Sequence, residues 1–495
     1  MSVIENLEYI RSAGGKRQTQ GLPDEAICRF ATSDPDMVDA VQAAREQFDR
    51  LKAEFPKLMA MDEVDQVAAI ETGFVNFYAD DTVNPYVSLA ARGPWIVTTK
   101  GAVLHDNGGY GMLGFGHVPT PVLEAMSQPQ VMANVMTPSF SQHRLIQALK
   151  KEIGRNRAGG CPFPRFLAMN SGSESVSVGS RIVDVNAKLL TDPGGRHEGK
   201  TVKKMAMKGG FHGRTGRPAQ WSDSTRSSYT KHLATYRGAE DLITVEPNNI
   251  DAIRKAFADA EAQGFFIEAV FMEPVMGEGD PGLAVTPEFY AVARQLTEDH
   301  GSLLLMDSIQ AGLRTTGNLS VVDNPGFEGL PVPDMETFSK ALNAGQYPLS
   351  ILAMNPRAAE LYRKGIYGNT MTANPRAMDV GTAVLGMVTD EVRANIVARG
   401  KEFVEKFEAL ARELNGPITK VQGTGLLFSC ELTPNFKAYG TGSLEEYMRL
   451  HGVGVIHGGE NSLRFTPHFE VTSAEVDLIV EHLRDAILNG PKKGD

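Results

Sequence analysis

The chain has 495 residues, 42% of them hydrophobic and 22% charged, with a formal net charge of −11. That length exceeds one ordinary core and predicts two or more domains or one large α/β unit, and the acidic balance argues against nucleic acid or an anionic membrane as the main partner. The cysteines Cys28, Cys161 and Cys430 form no CxxC pair, which argues against a disulfide framework or a structural zinc site and fits a reducing, cytoplasmic setting.

The N-terminus, "MSVIENLEYIRSAGGKRQTQ", lacks a basic start followed by an apolar core, so no signal peptide is expected. No apolar run approaches the roughly 18 residues of a membrane span. Segments such as "MVDAVQAAREQFDRLKAEF" read as helix, and residues 1–110 are expected to be helices then strands belonging to a small domain. Gly109 to Gly114, "GYGMLG", matches the GxGxxG dinucleotide fingerprint after the strand-like "AVLHD". The fingerprint also needs a helix to start at once, and "FGHVPTP" follows instead.

Residues 111–385 are expected to form the large domain. Within it "PRFLAMN", "VKKMAMKG", "FIEAVFMEP", "SLLLMDS", "METFSK" and "LSILAMN" read as buried strands. Helix-like stretches such as "SVSVGSRIVDVNAKLL" and "PEFYAVARQLTEDHG" separate several of them, which predicts a mostly parallel sheet covered on both faces. From 386 to 495, a long helical segment, the short strands "VQGTGLLFSCEL" and "GVGVIHGG", and a last helix predict a smaller α+β domain.

Ligands of open parallel sheets bind beyond the carboxyl ends of the strands, so the residues following each run are candidates. Ser171-Gly172-Ser173-Glu174 reads either as a capped turn or as a phosphate cradle at a helix N-terminus. Phe211 and His212 follow the second run, where an aromatic can stack on a planar ligand or belong to the core. Glu273 and Asp307 are carboxylates at the ends of apolar strands, expensive there unless a cation or donor meets them. Lys340 reads as a surface lysine or as an amine with a lowered pKa able to form an imine.

These pieces occur in one order that resembles the class III (ω-type) aminotransferases, pyridoxal-phosphate enzymes of fold type I. The resemblance is carried by "HDNGGYGMLGFGHVPTP", "NSGSESVSVGSRI", "GGFHGRT", "MEPVMGEGD", "MDSIQAG", "FSKALNAGQYPLS", "GNTMTANPRA" and "LRFTPHFEVT". It runs from about residue 80 to the end and makes the GxGxxG match a coincidence. It implies an α/β fold, with a large domain around a mostly parallel seven-stranded sheet and a small α+β domain. It also implies a ping-pong transaminase acting on a small-molecule amino donor and a carbonyl acceptor, with no metal.

Residue by residue, the resemblance implies that Lys340 holds the cofactor as a Schiff base and shuttles the proton, and that Asp307 pairs with the pyridinium nitrogen. Ser171, Gly172 and Ser173 would hold the phosphate, Phe211 and Ile309 would cover the two ring faces, and Gln310 would reach the phenolic oxygen. His212 and Glu273 complete the expected cofactor set. Thr370 would reach the neighbouring subunit's phosphate, making the enzyme a homodimer. Arg464 would clamp a substrate carboxylate, with Glu273 able to gate it.

The chain also departs from the family pattern. Ser308 stands where the family has glutamate and Met276 where it has glutamine. Asn343 to Gln346 loosen a glycine run, Thr372 and Ala373 replace a glycine pair, and the arginine of "GRTG" is shifted or absent around "GLRTTG". The rivals are a racemase, decarboxylase or aminomutase on the same cofactor, a nicotinamide oxidoreductase, and a silent homologue.

Overall fold

The computed structural model describes residues 2–132, 135–238 and 240–493. The chain divides into two compact units, residues 1–120 with 398–495, and residues 121–397; the sequence reading put the divisions at 110/111 and 385/386.

After a run of helices, the first unit lays down β1 (Ser88–Arg92), β2 (Trp95–Thr98) and β3 (Val103–Asp106), consecutive antiparallel neighbours. The Pro35–Glu54 helix lies over them because Met37, Ala40, Val41, Ala44 and Phe48 fall on one face, at helical spacing, and bury against Leu89, Trp95 and Val97. Asp34 starts that helix by accepting from the Asp36 N–H and also takes the Trp95 indole N–H at 2.6 Å.

The second unit holds β4 (Arg165–Met169), β5 (Thr201–Met207), β6 (Leu242–Val245), β7 (Phe265–Met272), β8 (Leu303–Asp307), β9 (Met335–Phe338) and β10 (Ser350–Met354). They form one seven-stranded sheet in the order β4-β10-β9-β8-β7-β5-β6. The pairings from β9 to β6 are parallel, and β10 is antiparallel to both its neighbours. All six predicted runs are strands. The seventh, β6, is a four-residue edge strand, "LITV", that the expected runs did not include.

Every residue of β7 and β8 is buried, as expected of central strands covered on both faces. The Gly172–Thr191 helix packs Val176, Ile182 and Val183 onto Ala269, Phe271, Leu305 and Leu352. Gly179 permits the close approach, since a Cβ there would stand 2.6 Å from Leu305 Cδ1.

The chain returns to the first unit with β11 (Ile418–Thr424), β12 (Leu427–Leu432), β13 (Val453–Gly454), β14 (Ile456–Gly458) and β15 (Ser462–Phe465). β13 adds in parallel to β3, and the others form an antiparallel sheet in the order β11-β12-β15-β14. No helix among the described residues is long and apolar enough to cross a membrane.

Candidate active site

The carboxyl ends of β8 and β9 lie side by side, with Asp307 paired in register to Thr337. Asp307 is 3% exposed, so its carboxylate needs donors. It has three: His212 Nδ1 lies 2.9 Å from Oδ2, and Thr337 Oγ1 and the Ile309 N–H donate to Oδ1 at 3.1 and 3.2 Å. His212 is itself buried, and among the described residues its Nε2 meets no hydrogen-bond partner. Three residues past Thr337, Lys340 opens the Lys340–Asn343 turn with φ +46°. A non-glycine residue in the left-handed region costs about 1 kcal/mol, a strain that clusters at functional sites.

The turn after β4 is a capping box. Ser171 Oγ accepts from the Glu174 N–H, and Glu174 Oε2 accepts from the N–H groups of Asn170 and Ser171. Gly172 and Ser173 then occupy the first two helical positions, whose N–H groups have no acceptor within the helix and favour an anion. The capped-turn reading is thus what the hydrogen bonds show, and the two N–H groups at this helix start are available to the phosphate reading.

Close packing surrounds this turn. A Cβ on Gly172 would stand 2.6 Å from Ile309 Cδ1, one on Gly213 2.6 Å from Ser173 Oγ, and one on Gly277 2.3 Å from the Gln310 amide. The helix N-terminus, Ile309, Gln310 and the strand-end residues thus share one location. A cradle that added methyl groups would fill, an anion-favouring helix end and a buried carboxylate together fit a flat, phosphorylated, protonated heterocycle such as pyridoxal phosphate.

Glu273 accepts the Phe211 N–H on Oε1 at 3.0 Å and the Gly277 N–H on Oε2 at 2.9 Å. Burial is the main cause that raises its carboxyl to about 7, with His212 opposing and Asp307 adding. Both oxygens serve backbone amides of its own unit, a positioning geometry for the Phe211 and Gly277 segments. The Arg214 guanidinium lies 5.4 Å from the Phe211 ring centroid.

Ser308, where the family pattern has glutamate, donates to a carboxylate instead of supplying one. Its Oγ lies 2.5 Å from Glu336 Oε1, which also takes the Val321 N–H at 2.8 Å, while Ser320 Oγ donates to Oε2. Burial raises the Glu336 carboxyl to about 7 against those three hydrogen bonds.

Glu174, Thr337 and Glu336 were not among the expected site residues. Glu174 Oε1 accepts Tyr367 Oη and Asn369 Nδ2 at 2.5 and 2.6 Å, tying the segment that carries Thr370 to the helix start. Burial works against its ionised form, but these bonds outweigh it and hold the Glu174 carboxyl below its ordinary value. Thr370 itself is exposed. Arg464 lies in the other unit, on β15, fully buried, with its guanidinium 5.2 Å from the Tyr110 ring centroid. The GxGxxG segment is a run of turns, and the next helix starts only at Thr120.

Residues 77–487 match the family described as aminotransferase class-III. The chain belongs to this family. Class-III aminotransferases use pyridoxal phosphate to move an amino group from a small-molecule donor to a keto acid acceptor. The ornithine aminotransferase 2 of Staphylococcus aureus strain Mu50 is 26% identical over 408 residues, covering 81% of this chain and 93% of that protein. Among solved structures, the ornithine aminotransferase of Toxoplasma gondii ME49 superposes with a TM-score of 0.72 at 20% identity, covering 88% of this chain and 98% of that one. The acetylornithine aminotransferase of Elizabethkingia anophelis gives 0.67 at 21%, covering 86% and 99%. The family match settles the rivalry between transaminase and oxidoreductase in favour of the transaminase.

Proposed function

We propose that this class-III aminotransferase acts on a carboxylate-bearing amino donor of the ornithine type, with Lys340 and Asp307 carrying the chemistry. The observation behind the reading is Asp307, a buried carboxylate oriented by His212, Thr337 and the Ile309 N–H, on the strand next to the one that leads into the Lys340 turn. The bound cofactor supplies a protonated ring that withdraws electrons from the carbon losing its proton.

The chain's residues do the rest. Asp307 holds the proton on the ring nitrogen, and the donors on its two oxygens keep it aimed. Lys340 would hold the cofactor through its amine and, once released, would take up and return the proton at the substrate carbon. Gly172 and Ser173 bind phosphate through N–H groups at the helix end, assisted by the Ser171 cap. Ile309 and Phe211 confine the ring, and Gln310 reaches its oxygen. His212 and Glu273 act one step back, through Asp307 and through the Phe211 and Gly277 amides. Arg464 takes the donor carboxylate as a planar, bidentate partner.

A second copy completes the site in this reading. Val131, Met136 and Phe140 are 70%, 89% and 80% exposed, an apolar surface costly to leave in water. Thr370 lines a small cavity with Val135 and Pro375, and Pro375 also lines the cavity beside Phe140. A homodimer would cover these residues and bring Thr370 to its neighbour's phosphate. The free, separated cysteines agree with a cytoplasmic enzyme.

The test is amino transfer from ornithine to a panel of keto acids by the purified holoenzyme, alongside Lys340→Ala. Transfer by the parent and none by the variant is expected. A Lys340→Ala enzyme that retained the cofactor's visible band and full turnover would sink the assignment.

A further inference from the structure

The Gly172–Thr191 helix carries two side chains that grip residues 366–369 of the same unit. Glu174, in its first turn, accepts Tyr367 Oη and Asn369 Nδ2 on Oε1 at 2.5 and 2.6 Å. Arg181, about two turns further on, donates to the Ile366 carbonyl and places its guanidinium 5.9 Å from the Tyr367 ring centroid. Glu174 Oε2 meanwhile accepts the N–H groups of Asn170 and Ser171 at 2.8 and 3.1 Å. A carboxylate offers about four lone-pair sites, and this one has a donor for each. One pair of donors belongs to the start of the helix, the other to a segment far along the chain.

Asn369 is the pivot of that second segment. Its Oδ1 accepts the Met371 N–H at 2.9 Å, and its backbone carbonyl accepts the Thr372 N–H at 3.1 Å and Thr372 Oγ1 at 2.7 Å. This is a turn built on an asparagine side chain, and Thr370 is exposed within it. Beyond it Asn374 accepts the N–H groups of Arg376 and Ala377 at 2.9 and 3.4 Å and caps the Pro375–Met387 helix. Thr370 is thus held between an asparagine tied to Glu174 and an asparagine tied to a helix end. The Asn369 amide cannot invert to suit a different partner, because its NH₂ would then face the Met371 N–H, donor to donor.

We propose that Glu174 is a positioning residue for cofactor retention in both subunits of a dimer: while it caps the helix that binds its own subunit's phosphate, it holds Asn369 and so fixes the turn that presents Thr370 to the neighbour's phosphate. The inference rests on the reading of Thr370 as a contact to the neighbouring subunit's phosphate. Glu174→Gln isolates the tie to Asn369. A capping box accepts glutamine as well as glutamate at this position, so the Gln carbonyl keeps the N–H groups of Asn170 and Ser171. Its NH₂ then faces Tyr367 Oη, which can turn to accept, and Asn369 Nδ2, which cannot. Arg181 still holds Ile366, so the segment stays docked while the Thr370 turn loses its orientation.

The test is equilibrium dialysis of the holoenzyme against graded pyridoxal phosphate, and against pyridoxal, which lacks the phosphate. Four forms are compared: parent, Glu174→Gln, Thr370→Val and the double variant. Glu174→Gln should raise the dissociation constant of pyridoxal phosphate by about 5–20-fold, near the lower end of what a hydrogen bond to a charged group is worth, and leave that of pyridoxal unchanged. On the Thr370→Val background it should add nothing, since both changes remove one contact. Asn369→Asp, which keeps the acceptor for the Met371 N–H but loses the donor to Glu174, should match Glu174→Gln and stands in for it if that variant fails to fold. Equal weakening of pyridoxal and pyridoxal phosphate overturns the proposal. If Thr370→Val leaves the affinity for pyridoxal phosphate unchanged, the reading of Thr370 falls and takes the proposal with it. If Thr370→Val weakens binding but Glu174→Gln does not, or if the two effects add in full, only the role of Glu174 falls.

Discussion

Replacing Glu336 with glutamine is expected to stabilise the protein above neutral pH and to change little in mild acid. The Glu336 side chain is fully buried, and its carboxyl sits at about 7 against an ordinary 4.5, with burial the main cause and the hydrogen bonds from Ser308, Ser320 and the Val321 N–H opposing it. Between those two values the native state keeps a proton that the unfolded chain has released. The unfolded state then binds fewer protons, so stability falls as pH rises through that window. A difference of 7 − 4.5 = 2.5 units, at about 1.4 kcal/mol per unit, gives roughly 3 kcal/mol lost by the time the pH is well above 7. Glutamine mimics the protonated form: its carbonyl can keep the Ser308 and Val321 donors, and its amide N–H can point at Ser320 Oγ. Urea unfolding followed by fluorescence of Trp221, buried against Phe271 in the same unit, reads the effect. The variant should exceed the parent by about 3 kcal/mol near pH 8.5 and by under about 1 kcal/mol near pH 5. A gap that does not depend on pH, or a variant less stable at the higher pH, refutes the reasoning.

Gly277→Ala places a Cβ 2.3 Å from the Gln310 amide; pyridoxal-phosphate titration should show cofactor affinity falling by about tenfold, equivalent to one lost hydrogen bond, with the circular dichroism spectrum unchanged. Ala373 holds φ +56° where the family pattern has glycine, so Ala373→Gly should raise stability by about 0.5–1 kcal/mol in denaturant unfolding. Phe140→Asp puts a charge on the 80%-exposed apolar surface; light scattering should show a monomer that binds pyridoxal phosphate weakly. In the first unit, Glu475 Oε1 meets His105 Nε2 and His468 Nε2 at 2.9 and 2.8 Å. Burial opposes the charge on Glu475, but the two histidines hold its carboxyl well below the ordinary value. Its contribution is present above the unfolded value and lost as pH falls through the folded one. Glu475→Gln should therefore cost about 3 kcal/mol near neutrality, and the deficit should shrink on acidification.

Which parts of this site were legible in the sequence follows from how far each interaction reaches along the chain. Asp307 announced itself because a carboxylate ending four apolar residues is anomalous locally, and Lys340 because it ends another such run. The capped turn at Ser171 to Glu174 was legible for the same reason: its hydrogen bonds span three or four residues. How these groups are steered was not, because the partners are remote: His212 belonged to the expected cofactor set, but its bond to Asp307 did not, and Glu336 was not expected at all. His212 reaches Asp307 across 95 positions and Glu336 reaches Ser308 across 28. Glu336 sits inside "METF", a run whose apolar character hides a charged residue that is costly to bury unless donors converge on it. The same logic accounts for Ser308. Taken as a substitution it loses a carboxylate, but taken with Glu336 it retains a buried carboxylate and moves the acidic group to the next strand, leaving a short hydroxyl beside Asp307 to meet it. A pattern match scores positions one at a time and marks this as a defect. Hydrogen-bond accounting treats the two positions as a pair, and in that accounting the departure and its compensation are one feature.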